Sequence, residues 1–229
     1  MNIDLFLRYG PRLGDGVLVT AELVALSVLI GAAIALPMAL ARLSGNRLLR
    51  AAAFAYCYFF RGTPLLAQVF LIYYGAGQFR AELEAVGLWT LFRDAFFCAV
   101  FTFTLNTGAY QAEILRGAIL AVPEGQREAA KALGLKRLAT YLRVILPQAI
   151  ITALRPLGNE IILMIKVSAI ASVITVFDLM GATRLAFARS FDFEVYLWAA
   201  VLYLAIVEAM RRGWDRLETR LTRHLRMAP

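Results

Sequence analysis

Asn106, Tyr110 and Glu113 stand at i, i+4 and i+7, so a helix puts all three on one face, which Thr102 extends by a turn. The chain around them is apolar from Ala95 to about Leu115, the length of a bilayer crossing. A carboxylate at that depth costs about 2.5–3.5 kcal/mol on insertion scales. The stripe is therefore expected to face a neighbouring helix or a water-filled cavity. A second polar pair, Asn159 and Glu160, opens another apolar stretch. The two stretches run antiparallel, which puts Glu160 at a depth comparable to Glu113. Two carboxylates converging on one cavity would suit a cationic guest, a guanidinium or an ammonium group. The alternative is internal glue, with Glu113 paired to Arg61 or Lys166. Two breaks in the apolar pattern stand nearby. Lys166-Val167-Ser168 predicts a locally unwound helix, of the kind that lets freed backbone groups replace water around a substrate. Arg61-Gly62-Thr63-Pro64 predicts another, with Thr63 placed to satisfy a freed carbonyl. For each, a packing kink is the competing reading.

What must position these groups is a membrane. Hydrophobic residues make up 61% of the 229, and mean hydropathy is +0.68. Both exceed what a soluble domain of this size carries, so the fold class is all-α integral membrane. The net charge of +8 sits between apolar stretches and forms no aromatic-interleaved patch, which excludes nucleic acid as a partner. The 16 carboxylates are scattered, and no Ser has a nucleophile-elbow context, so catalysis is not expected. The chain holds one His, His224, near a charged terminus, and that makes no metal site. No phosphate loop is present, so no cofactor is expected and the chain carries no nucleotide engine of its own. Cys57 and Cys98 lie in apolar runs and are expected as buried thiols.

Five spans follow, at about 17–41, 52–77, 95–115, 156–179 and 195–210, within a single domain. Glu22 lies near the outer end of the first, which Pro37 is expected to bend. Residues 1–16 are mixed and lack the pattern of a signal peptide. Residues 78–94 and 180–194 read as connectors. Three basic residues stand in the first connector (Arg42, Arg47, Arg50), seven in residues 116–155 and six in the tail, against two in each segment on the other side. By the positive-inside rule the loop 116–155 is cytoplasmic, the N-terminus outside and the C-terminus inside.

That loop is long and structured for a connection between spans. Pro123 suits a first helical turn, Glu124 and Glu128 lie toward the N-terminus with Lys131 after them, and Gly134 is a natural left-handed cap. Ala129, Ala130 and Ala132 keep the helix thin enough for another backbone to approach. A second helix is expected from about Lys136 until Pro147 ends it.

Glu128-Ala129-Ala130, Gly134 and Val144-x-Leu146-Pro147 together resemble the signature loop of permease subunits of bacterial ABC importers. In that family the loop is a coupling helix seated in a cytoplasmic ATPase, which implies that role for Glu128, Ala129, Ala130, Gly134 and Pro147. Arg61-Gly62-Thr63-Pro64-Leu65-Leu66-x-Gln68 is similar to the second-span motif of the polar amino-acid branch. So is Tyr110-x-x-Glu113-Ile114-x-Arg116-Gly117, followed by Val122-Pro123-x-Gly125-Gln126. Phe103-Thr104-Leu105-Asn106-Thr107 and Asn159-Glu160-Ile161-Ile162-Leu163-Met164 resemble subunits handling histidine, arginine, lysine and ornithine, or the opines octopine and nopaline. The resemblance implies an inner-membrane permease without enzymatic activity, paired with a second, similar permease as a heterodimer. It also implies two copies of an ATP-binding subunit and a periplasmic solute-binding protein. The substrate pathway would hold Thr63, Pro64, Gln68, Asn106, Tyr110, Glu113, Asn159, Glu160 and Ser168. A fixed cation at Lys166 would repel a cationic guest unless it is paired or points away. A self-sufficient, ion-coupled amino-acid transporter driven through Glu113 and Glu160 is the alternative; it gives the loop no purpose.

Overall fold

Helix α1 (Ile3–Arg42) runs unbroken, with Pro11 and Pro37 inside it. The computed structural model describes residues 3–223, with side chains from residue 7 onward; His224 and Arg226 lie outside the described residues. Every regular element among them is helical. The mixed segment before Val17 is not a separate lead-in, because Tyr9 and Leu13 are buried and extend the packed face of α1. Tyr9 packs with Ala186 and Val195, and Leu13 with Leu179 and Ala182.

The stretch expected as the second span is two helices, α2 (Arg47–Gly62) and α3 (Leu65–Gln78). Asn46 starts α2 by accepting from the backbone N–H groups of Leu48 and Leu49. Thr63 and Pro64 are extended between the two helices, as the residue before a proline is disfavoured in the α region. The connector at 78–94 contains two short helices, α4 (Arg80–Ala85) and α5 (Trp89–Phe92).

Helix α6 (Ala95–Leu120) is the axis of the molecule, packing against α1, α2 and α3 and against α9, the helix at Leu146–Val167. Asp94 caps it by accepting from the Phe97 N–H at 3.0 Å. A close crossing with α1 is made by small residues: a Cβ on Gly31 would come within 2.8 Å of the Thr107 methyl and 3.2 Å of the Gly108 nitrogen. Leu23, Val69, Cys98, Phe103, Met164 and Ile174 belong to the main apolar core around this axis. Cys57 and Cys98 are free and buried.

Beyond α6 come α7 (Glu124–Ala132), α8 (Arg137–Thr140) and a π-helical turn (Tyr141–Ile145), which leads directly into α9. Pro147 therefore does not end a helix, as its missing N–H suggested; it stands in the first turn of α9. The wider π turn absorbs the break, with Leu146 N–H bonding back five residues to the Tyr141 carbonyl. The fourth span thus starts as helix ten residues earlier than its apolar pattern indicates. It tightens to a 3₁₀ turn at Ser168–Ile174, where the sequence predicts unwinding, and ends at Thr175 in a left-handed conformation.

The stretch at 180–194 is not a plain connector. Helix α10 (Leu179–Ser190) begins at Asp178, which accepts from the Gly181 N–H at 2.9 Å, and Thr20 of α1 accepts from the Leu179 N–H. The last helix, α11 (Glu194–Leu221), continues well past the expected end of the fifth span. Ion pairs of Glu208 with Arg211 and Arg212, and of Arg211 with Asp215, link neighbouring turns of this polar extension. Two helical stretches among the described residues, 7–42 and 137–174, are long and apolar enough to cross a membrane by length and composition.

Candidate functional site

Three guanidiniums surround the Glu113 carboxylate on α6. Arg42, at the end of α1, donates through Nε to Oε1 at 2.9 Å. Arg116, one turn further along α6, donates to Oε2 through Nε at 2.9 Å and approaches it through Nη2 at 2.8 Å. Arg61 of α2 stands 3.8 Å away. Aromatic faces flank two of the cations, with Arg42 over Phe54 and Arg61 over Tyr110 at 4.9 and 5.2 Å from the ring centroids. A cleft of about 210 Å³ opens there, lined in part by Cys57, Tyr58 and Gly62. Glu113 is thus a junction joining α1, α2 and α6. Its charge is matched by Arg42 and Arg116 more closely than by Arg61, and Lys166, exposed on α9, makes no ion pair with it.

Glu160 has different company. It is 7% exposed, and its Oε1 accepts from the Thr107 hydroxyl at 3.0 Å. Gln111 Nε2 in turn donates to the Thr107 oxygen and to the Val28 carbonyl of α1, both at 3.2 Å. One thread of hydrogen bonds therefore links α1, α6 and α9, and Glu160 has no ion pair among the described residues. Asn159, its neighbour, is exposed.

The break between α2 and α3 is closed by amides. Gln68 Nε2 lies 3.0 Å from the Phe60 carbonyl, 3.2 Å from the Thr63 carbonyl and 2.7 Å from the Thr63 hydroxyl. Asn106 Nδ2 donates to Phe60 O at 2.8 Å and to Gln68 Oε1 at 3.0 Å. Thr63 donates to the Phe59 carbonyl at 2.8 Å, and Tyr110 reaches the Arg61 carbonyl at 3.4 Å. The carbonyls freed by Pro64 are thereby satisfied inside the chain. At the other break, Ser168 is buried and donates to Ile165 O at 2.8 Å.

The polar character of α6 is thus two-sided. Asn106, Tyr110 and Glu113 face α2 and its break, whereas Thr107 and Gln111, one step round the helix, face α1 and α9. Only the first stripe stands out in the sequence analysis above as a candidate site. The i, i+4 spacing of Thr107 and Gln111 was a usable signal, whereas Arg42 is recognisable as a partner only once α1 is seen to end beside α6.

On the polar loop, α7 ends in a Schellman arrangement. Gly134 has φ +70, its N–H bonds to the Lys131 carbonyl, and Leu135 N–H bonds to Ala130 O, each at 3.0 Å. Glu124, Glu128, Ala129 and Ala132 are exposed. Ala130 is turned inward, 3% exposed, so the thin outer face consists of Ala129 and Ala132 without it. Ile119, Val122, Ile145 and Ala149 form a packed cluster between the end of α6 and the start of α9. Gln148 of α9 donates to the Val144 carbonyl at 2.9 Å and to Gln126 of α7 at 3.4 Å. Pro147 is exposed at the start of α9.

Residues 27–223 match the family model of the binding-protein-dependent transport system inner membrane component. The chain belongs to this family. It is similar to the nopaline transport system permease protein of Agrobacterium fabrum, 41% identical over 99% of this chain and 94% of that one. To the arginine ABC transporter permease protein of Haemophilus influenzae it is 37% identical, over 88% of each. Among solved structures, an amino acid ABC transporter with histidines superposes with a TM-score of 0.86 at 35% identity, covering 96% of this chain and 99% of that one. A methionine ABC transporter in an inward-facing conformation shares the fold, with a TM-score of 0.76 at 21% identity.

Proposed function

We infer that this chain is the membrane-spanning permease subunit of an ATP-driven importer for polar amino acids, basic ones above all, or for opines. ATP hydrolysis resides in a separate subunit. The observation that carries the mechanism is the rigid connection from α7 to Glu160. The loop helix is capped by Gly134, lies against the π turn at Tyr141–Ile145, and is hydrogen-bonded to α9 through Gln126 and Gln148. From Arg137 the chain is helical without interruption to Val167. A displacement of α7 is therefore passed along a rod that carries Glu160, rather than lost in a flexible loop. Glu128, Ala129, Ala132 and the Gly134 turn form the surface that an ATPase engages.

Five crossings supply the path: α1, the α2–α3 pair, α6, α9 with its 3₁₀ end, and α11, with the N-terminus outside and the polar loop inside. A second, similar permease completes the cavity as a heterodimer, two ATP-binding subunits sit on the loop side, and a solute-binding protein delivers substrate. In the substrate pathway, Glu160 with Asn159 attracts a guanidinium or ammonium group. Asn106, Gln68, Thr63 and Pro64 shape the wall beside them, with Tyr110 and Ser168. Glu113, already neutralised by arginines, holds the wall together.

Glu128→Arg tests the coupling. It leaves helix propensity nearly unchanged but reverses charge on the exposed face of α7. ATPase subunits that co-purify with the native transporter are expected to be lost, along with uptake, while the permease remains in the membrane. Uptake that persists without the ATPase and follows a pH gradient would overturn the reading in favour of an ion-coupled transporter.

A further inference from the structure

Two cavities meet on either side of Arg137 and Tyr141, and their chemistry is complementary. One, of about 560 Å³, is apolar, with Leu36, Leu40 and Leu43 of the α1 end facing Leu142 and Leu146. The other, of about 400 Å³, is cationic, with Arg127, Lys131 and Arg137 around Thr140. Both volumes lie in the range of small-molecule sites. Arg127 is partly used, pairing with Glu124 at 3.3 Å and donating to the Ile119 carbonyl. Lys131 and Arg137 are exposed and have no acidic partner among the described residues. The apolar cavity continues an exposed flank of α1 that descends through Leu26, Leu29, Ala33 and Leu40 at helical spacing. Leu142, in the π turn, is 55% exposed at its rim. Such a turn re-aims side chains out of α-helical register and is frequent at functional sites.

We propose that this composite groove holds an anionic phospholipid, with an acyl chain along Leu36, Leu40 and Leu142 and the headgroup phosphate between Lys131, Arg137 and Thr140. The argument is charge complementarity. A soluble anion would leave the leucine-lined half wet, and a zwitterionic lipid would leave the two unpartnered cations uncompensated. Basic pockets between helices at a membrane surface select acidic headgroups for this reason. The lipid would brace the π turn between α7 and α9, the segment through which the loop moves the rod.

The test uses the assembled transporter in nanodiscs of equal phosphatidylglycerol and phosphatidylcholine, transferred to mild detergent and weighed by native mass spectrometry. Phosphatidylglycerol is expected to be retained preferentially. Arg137→Gln and Lys131→Gln are each expected to cut its retention about five-fold, the effect of removing one basic charge near an anionic surface. A photoreactive diazirine residue in place of Leu142 should give an adduct of phospholipid mass, a readout that survives if the charge variants fail to assemble. Equal retention of both lipids, displacement by millimolar glycerol phosphate, or an adduct to a peptide of a neighbouring subunit would overturn the proposal. Retention is read without transport, so failure here leaves the transport reading standing.

Discussion

Two carboxylates, Glu113 half-buried and Glu160 buried, are stabilised in opposite ways. Glu113 binds three arginines drawn from α1, α2 and α6, and Glu160 binds one hydroxyl. The first arrangement has more positive than negative charge and little capacity for a further cation. The second leaves a carboxylate uncompensated inside the chain, next to the exposed Asn159. In an apolar setting a charge is tolerated when paired, and an unpaired one is a position awaiting a partner. The comparison supports the proposal that Glu113 holds helices together and that Glu160 meets the substrate.

The sharpest way to break this contrast is Glu113→Ala. Removing the one anion among three guanidiniums leaves cations uncompensated; because the cluster is part-buried, the loss is expected at the lower end of the about 3–5 kcal/mol for a fully buried pair. Thermal unfolding of the purified transporter should show the loss, and little change would mean the cluster is not a brace. Thr107→Val is expected to be smaller. It keeps the shape but removes the hydrogen bond that Glu160 accepts, at about 1–3 kcal/mol for an orphaned buried group, again read by unfolding. Glu160→Gln retains an acceptor for Thr107, so stability should hold while uptake of cationic substrates falls roughly ten-fold more than uptake of neutral ones, about 1.4 kcal/mol. Equal losses for both substrate classes would remove Glu160 from direct contact. Smallest is Arg61→Gln. Its guanidinium is the most distant and the most exposed of the three, and such a pair is worth about 0–1 kcal/mol; a loss as large as that of Glu113→Ala would show that all three arginines act as one unit.

Much of this was readable in order along the chain. The Gly134 turn and the Arg61–Pro64 break follow from local backbone chemistry, and the structure has both; at Ser168, where unwinding is expected, the chain tightens to a 3₁₀ turn instead. Other features were not readable locally. Pro147 carries a true stop signal, yet the π turn before it lets the helix go on, because packing against Ile119 and Val122 holds the segment in place. Helix α10 contains Gly181 and Thr183, weak helix formers, and exists because it packs on α1: a Cβ on Gly16 would come within 2.8 Å of the Leu179 Cα. Residues 1–16 read as a mixed segment before the first span, yet Tyr9 and Leu13 are buried against α10 and α11 and belong to the packed helix.

The candidate site divides in the same way. That Asn106, Tyr110 and Glu113 share a face is a consequence of helical spacing alone, as is the expense of burying them. Which partner each meets is not, since Arg42 lies 71 residues from Glu113 and Thr107 lies 53 from Glu160. The sequence by itself determined that the chain is helical, membrane-embedded and interrupted by a polar, Gly-capped helix, because hydropathy, charge placement and turn chemistry act within a few residues. Only the tertiary structure decided which carboxylate is paired with arginines and which has a hydroxyl alone, because that depends on helix ends meeting across the bundle.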